Sequence, residues 1–169
     1  MKYGIIYKER MARSRSVIVE AVSFEALSQH PDLEFIDPYN CMVEAVVDFD
    51  AKKVIRSGMS SKREMLAIVD PDINQAGNAD YSFWFRSMRS PAPKTAVVSA
   101  NNADKAMRLA GKVALNREPF SGIYVDSLID FKEQEIRPVA MKADGAIIEV
   151  RDGDFGERTP GEWFEEQLG

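Results

Sequence analysis

Two short segments carry the side chains best suited to binding an anion. The segment Lys8–Ser16 has four basic residues and one acidic residue, and Arg86–Lys94 has three basic residues and no acidic one, so each has a net charge of +3. Arginine presents a planar set of donors that matches phosphate oxygens, and both segments mix arginine with serine. We call these segments the two basic arms. The candidate ligand-binding residues are their cations, Lys8, Arg10, Arg13, Arg15, Arg86, Arg89 and Lys94.

The chain as a whole is acidic, so the arms stand out against their surroundings. The net charge is −5 and the arms together carry +6, which leaves −11 on the remaining residues. This segregation predicts a nucleic acid or another phosphate-bearing ligand as partner. Three alternatives stay open: the arms serve only solubility, they dock on an acidic protein surface such as a second copy of this chain, or the acidic remainder binds a basic site on a host protein.

Aromatic residues lie directly before each arm. Tyr7 precedes the first arm and Trp84 precedes the second, where they could stack on the bases of a single strand. We favour a role in the core for these two rings, because strands are rich in aromatic residues that fill a core.

Two acidic turns are the only candidate metal sites. Asp70 and Asp72 recur as Asp152 and Asp154, and four such carboxylates could bind a divalent cation in a phosphoesterase. Aspartate beside proline or glycine is also ordinary turn chemistry, which we favour. The single cysteine, Cys41, and the single histidine, His30, are too few for a zinc site or a disulfide. The sequence therefore predicts a non-enzymatic protein with no cofactor.

An internal repeat indicates how the arms are positioned. The stretch Val43–Phe49 matches Val125–Phe131 with three identities at an offset of 82 residues, and upstream the offset becomes 79. A repeat of this kind means that each unit is one supersecondary structure. Each arm falls at the equivalent place, between the first two strands of its unit.

The predicted fold is α+β. It is a pseudo-twofold tandem repeat of β-β-α-β-β units, with a mainly antiparallel sheet and one helix per unit. Ser23 and Asn102 are the expected N-caps of the two helices. We place the units at residues 1–80 and 81–158, expect them to share one core, and predict a C-terminal acidic helix at 159–169.

Composition places the chain among globular proteins of a reducing compartment. It has 169 residues, of which 45% are hydrophobic and 29% charged, and no segment is apolar enough to span a membrane. We expect a cytoplasmic protein without membrane contact, and exposed strand edges that could join copies of the chain.

The segments Val19–Leu27 and Val98–Met107, each at a strand-to-helix junction after a long charged hairpin, carry a resemblance. The chain resembles small phage and prophage accessory proteins of unknown function. The resemblance supplies no catalytic residues, and it implies a protein of a mobile element that binds or inhibits rather than catalyses.

Overall fold

Ten β-strands in two sheets dominate the described part of the chain. The computed structural model describes residues 1–9, 14–37, 41–73, 79–87, 92–109, 123–141 and 147–150. The first sheet contains β1 Lys2–Glu9, β2 Ser14–Glu20, β3 Cys41–Asp48, β4 Lys53–Met59 and β5 Met65–Ala67. Its order is β2-β1-β3-β4-β5, and all neighbouring strands are antiparallel.

The second sheet has the same arrangement. It contains β6 Tyr81–Ser87, β7 Lys94–Val98, β8 Ile123–Asp130, β9 Glu135–Met141 and β10 Ile147–Glu149. Its order is β7-β6-β8-β9-β10, again with antiparallel neighbours. Each strand therefore has a counterpart at the same position in the other sheet.

The strand registers also correspond. Tyr3 pairs with Asp48 in the first sheet, and Tyr81 pairs with Asp130 in the second. The register shifts after Ile6 in β1 and after Trp84 in β6. In each case the partner strand has one extra residue, which is Glu44 between Val43 and Ala45 of β3 and Asp126 between Val125 and Ser127 of β8. Both sheets therefore have a β-bulge at corresponding residues, and both bulged residues are carboxylates.

The inner faces of the two sheets contribute to one apolar cluster. Residues of both sheets form it: Ile6, Ala45, Val47, Phe49, Val54, Ile73, Trp84, Ile129, Phe131 and Ile136. The rings of Phe49 and Phe131 meet edge to face, with centroids 6.3 Å apart. A Cβ placed on Gly4 would stand 2.5 Å from Ile136 Cδ1, so the absence of a side chain lets the sheets approach closely here.

Each outer face has a separate cover. Tyr3, Ile5 and Tyr7 of the first sheet pack against Leu27, Leu33 and Ile36. These last residues belong to or follow two 3-10 turns, Glu25–Gln29 and Pro31–Leu33. On the second sheet, Phe83 and Phe85 pack with Ala106 of an α-helix, α1, whose described residues are 103–109. The central strands β1, β3, β6 and β8 are therefore buried on both faces.

The coarse prediction of an α+β fold with mainly antiparallel sheets agrees with these elements. The strand count was wrong, because each sheet has five strands rather than four. The missed strand of the second sheet is β9, where Pro138 lacks the N–H of a central strand and charged residues interrupt the apolar pattern.

The helix predictions had different outcomes. Asn102 caps α1, since its Oδ1 accepts a hydrogen bond of 2.8 Å from the Lys105 N–H. Ser23 Oγ likewise accepts from the Ala26 N–H at 3.2 Å, but the segment that follows forms 3-10 turns because Pro31 interrupts it after a few residues. The predicted helix at 159–169 lies outside the described residues, and the unit boundaries stay a prediction.

Candidate functional site

The two basic arms begin next to each other. The first joins β1 to β2 and the second joins β6 to β7. Arg86, at the end of β6, donates a hydrogen bond of 3.0 Å from Nη1 to Ser14 Oγ, at the start of β2. The bases of both arms therefore meet at one end of the two sheets, which we call the arm end. Arg10, Arg13 and Arg89 lie outside the described residues.

Arg86 also joins carboxylates of both sheets. Its Nη1 donates to Asp126 Oδ2 at 2.6 Å, and its Nη2 contacts Glu44 Oε2. Ser14 Oγ completes the group by donating to Glu44 Oε1 at 2.6 Å. Glu44 comes from β3 and Asp126 from the equivalent position of β8, so one cation bridges two corresponding carboxylates. We call Ser14, Glu44, Arg86 and Asp126 the inter-sheet ion cluster.

The burial of the inter-sheet ion cluster indicates whether Arg86 is available to a ligand. The side chains of Arg86, Glu44 and Asp126 are 12%, 5% and 12% exposed. Burial lowers the pKa of Arg86, while the charge of Asp126 and its hydrogen bond raise it. Two buried carboxylates thus occupy the guanidinium donors that a phosphate would need. Arg86 was predicted to bind ligand, but the structure places it in an internal ion pair.

The other cations of the arms differ in exposure. Arg15 is exposed and Lys8 half-buried, and neither has an ion pair within the described ranges. Lys94 is buried, with 8% of its surface exposed, so it does not face a ligand. Of the four predicted cations that the structure describes, Lys8 and Arg15 are therefore the ones open to an anion.

The predicted stacking residues are in the interior. Trp84 is fully buried in the inner cluster, and Tyr7 is 8% exposed on the outer face of the first sheet. Neither ring presents a face to a nucleobase, because β1 and β6, which carry them, are covered on both faces. Sequence reasoning missed Phe35, which is 51% exposed and packs edge to face on Tyr7. Its position between two buried apolar residues, Leu33 and Ile36, is the sequence signal that marks it.

The described acidic turn, Asp70–Asp72, has the hydrogen bonding of an ordinary turn. Asp70 Oδ1 accepts from the Asp72 N–H at 2.9 Å, and Asp70 Oδ2 lies 3.4 Å from Arg56 Nη1. Asp70 is therefore engaged in turn formation and an ion pair. Among the described residues no group of three or more potential ligands could hold a metal ion. Asp152 and Asp154 lie outside these ranges, so the four-carboxylate site stays untested.

Acidic groups gather at the end opposite the arms. Burial raises the pKa of Tyr3, and the charges of Asp48, Glu25 and Asp50 raise it further. In the second sheet, burial and the charges of Asp130 and Asp80 raise the pKa of Tyr81, against a lowering effect of Arg137. Both tyrosines, at the start of β1 and β6, thus report a negative field at this end.

These tyrosines predict a pH dependence of stability. Each phenol has a raised pKa when folded, above the ordinary value of 10.0, so the unfolded chain loses its proton first as the pH rises. Stability is complete below the ordinary value and falls above it. We expect a lower urea midpoint at about pH 10.5 than at about pH 8, and a smaller difference in the double variant Tyr3→Phe, Tyr81→Phe. If the urea midpoint fell equally in the wild type and in the double variant between these two pH values, the prediction would be wrong.

A shallow cleft of about 350 Å³ lies at the same end. Its acidic lining residues are Asp104, Asp130, Glu133 and Glu135, and its basic ones are Lys132 and Arg137. Arg137 is already bound by Glu135 at 2.5 Å and Glu149 at 3.3 Å. The cleft therefore has an acidic character, the opposite of the arms.

Comparison with known proteins gives no relative for this chain: no family model, no curated protein and no solved structure matches it. Across the described ranges, the helices are too short or too polar to cross a membrane.

Proposed function

We propose that this chain is a non-enzymatic binding protein that holds a nucleic acid, or another phosphate-bearing ligand, between its two basic arms. The observation that carries the proposal is the hydrogen bond of 3.0 Å between Arg86 and Ser14, which brings the bases of both arms together. Because the two arms begin at one end, their cations that remain open to solvent form a single basic surface in this proposal rather than two separate ones.

The ion cluster limits how many cations the ligand meets. Glu44 and Asp126 neutralise Arg86, and Lys94 is buried. The cations left for phosphate contact are Lys8, Arg10, Arg13, Arg15 and Arg89. In this proposal Arg86 is a positioning residue, because it fixes the base of one arm against the base of the other.

An internal duplication is part of the proposal. The shared strand order, the corresponding register shifts and the sequence offset support it. Duplication would explain why each sheet carries a basic hairpin at the same place. We also propose an accessory role in a phage or prophage, for which binding without turnover is the expected activity.

A second candidate function uses the opposite end. The negative field at Tyr3 and Tyr81, with the acidic cleft beside Asp130, favours an inhibitor that covers a basic site on a host protein. In that case charge reversal at Asp104 and Glu133, both exposed, would abolish binding of the host protein, while changes at the arms would not.

The test is a binding titration with labelled oligonucleotides and inorganic polyphosphate at about 50 mM salt. We expect Arg15→Gln to weaken binding roughly threefold to tenfold, because one phosphate contact is lost. Lys132→Gln is the matched control, since Lys132 is an exposed cation on the turn after β8, at the opposite end. It should leave the affinity unchanged.

Two outcomes would overturn the proposal. One is a wild-type protein that binds none of these polyanions at low salt. The other is an equal loss of affinity in the two variants, which would mean that any surface cation contributes and that the arm end has no special role.

A further inference from the structure

Phe35 is a half-exposed aromatic ring on a well-fixed turn near the arm end. Its side chain is 51% exposed, whereas Leu33 and Ile36 on either side are fully buried in the cluster of the first sheet. The two buried neighbours anchor the backbone on both sides of Phe35. The ring is therefore presented to solvent by a segment that is itself part of the core.

Two further contacts hold this turn. Arg63 donates from Nη1 to the Ile36 carbonyl at 2.6 Å and from Nη2 to the Leu33 carbonyl at 3.0 Å. Tyr7 supports the ring itself, with centroids 5.3 Å apart and planes at 65°. An aromatic ring fixed in this way loses little conformational freedom when a planar group stacks on its open side.

A cation of the first arm lies on the same face. Arg15 is the cross-strand partner of Tyr7, and directly paired residues of antiparallel strands point to the same side of the sheet. Val17, two positions further along β2, packs in the same outer cluster, which fixes the side that Arg15 also takes. Phe35 and Arg15 are therefore both neighbours of Tyr7 on the outer face, one as an exposed ring and the other as an exposed cation.

We infer that Phe35 stacks on an unpaired nucleobase of a single-stranded nucleic acid whose phosphate is held by Arg15. The inference rests on the proposed function and names its ligand class. Neither arm contains an aromatic residue, and the rings of Tyr7 and Trp84 are buried, so the stacking surface must come from outside the arms. Base stacking requires an open face that a paired duplex does not offer, which selects single strands.

The charges near the ring favour one place for the phosphate. Glu34 is exposed and next to Phe35 in the chain, where it repels phosphate, while Arg15 attracts phosphate. In this inference the phosphate is therefore held at Arg15, and the base is held at Phe35.

The experiment compares Phe35→Ala with the wild-type protein on a single-stranded oligonucleotide and its duplex at the same salt concentration. We expect Phe35→Ala to weaken single-strand binding about 5-fold to 150-fold and to leave duplex binding unchanged. Phe35→Trp should restore single-strand binding, and its added fluorescence should be quenched by the single strand but not by the duplex. Leu66→Ala is the control, because Leu66 is 47% exposed on the edge strand β5.

The outcomes separate this inference from the proposed function. If the wild-type protein binds polyanions but Phe35→Ala changes neither affinity, or lowers both equally, the stacking role is refuted and the basic arms remain the binding site. If the wild-type protein binds no polyanion, the proposed function itself fails. If Phe35→Ala instead abolishes binding of a host protein without changing nucleic-acid affinity, the ring is a protein contact and the inference is wrong.

Discussion

Replacing Arg86 with methionine is expected to lower the free energy of unfolding by about 3–5 kcal/mol. The change leaves the carboxylates of Glu44 and Asp126 without their shared cation, although both are almost fully buried. An uncompensated buried charge costs far more than the loss of a surface ion pair. The measurement is a urea denaturation curve, followed by the fluorescence of the tryptophans.

Two further variants show whether burial of charge is the reason. Removing all three charges together, with Arg86→Met, Glu44→Gln and Asp126→Asn, should recover much of the loss because no unpaired charge remains. Arg15→Met removes an exposed arginine of the same end and should stay within about 0.5 kcal/mol of the wild type. If Arg86→Met were as mild as Arg15→Met, the ion cluster would not join the sheets.

The second large effect is expected at Trp84. Its side chain is fully buried in the cluster formed by both sheets, so Trp84→Ala should cost about 3–5 kcal/mol through lost contacts and a cavity. Its indole N–H is buried and has no hydrogen-bond partner among the described residues. Trp84→Phe should therefore cost less than about 1.5 kcal/mol, because it keeps a ring in the core and removes an unsatisfied donor.

Thermal unfolding monitored by circular dichroism tests the predictions for Trp84→Ala and Trp84→Phe. If the two sheets share one core, Trp84→Ala should lower the midpoint of a single transition, rather than splitting it into two. An unaffected midpoint would contradict the central position of Trp84, and so would a fall in only one of two separate transitions.

The sequence predicted most strands because their apolar and aromatic residues alternate between turns. It did not predict which face of a strand meets the other sheet and which face is covered by a local segment, because that depends on how the two sheets pack together. For that reason the aromatic residues before the arms suggested stacking platforms, whereas both outer faces are covered by 3-10 turns or by α1.

The candidate site was predicted in part. The positions of the arms in the chain could be derived from their charge, but their meeting at one end depends on the packing of two sheets. Arg86 looked like an ordinary arm cation, because its partners Glu44 and Asp126 lie 42 and 40 residues away. One signal was available: Glu44 and Asp126 are carboxylates at corresponding positions in the middle of mainly apolar strands, and buried carboxylates need a cation.

The most direct test of the basic arms is the salt dependence of single-strand binding by the wild-type protein. The five available cations predict that the logarithm of the observed binding constant falls linearly with the logarithm of the salt concentration. Each cation contributes about −0.7 to the slope, so the slope should be no steeper than about −3.5. Arg15→Gln should make this slope shallower by about 0.7, and Lys132→Gln should not change it. A slope near zero would contradict the claim that phosphates bind at the arm end, and so would a slope that Arg15→Gln leaves unchanged.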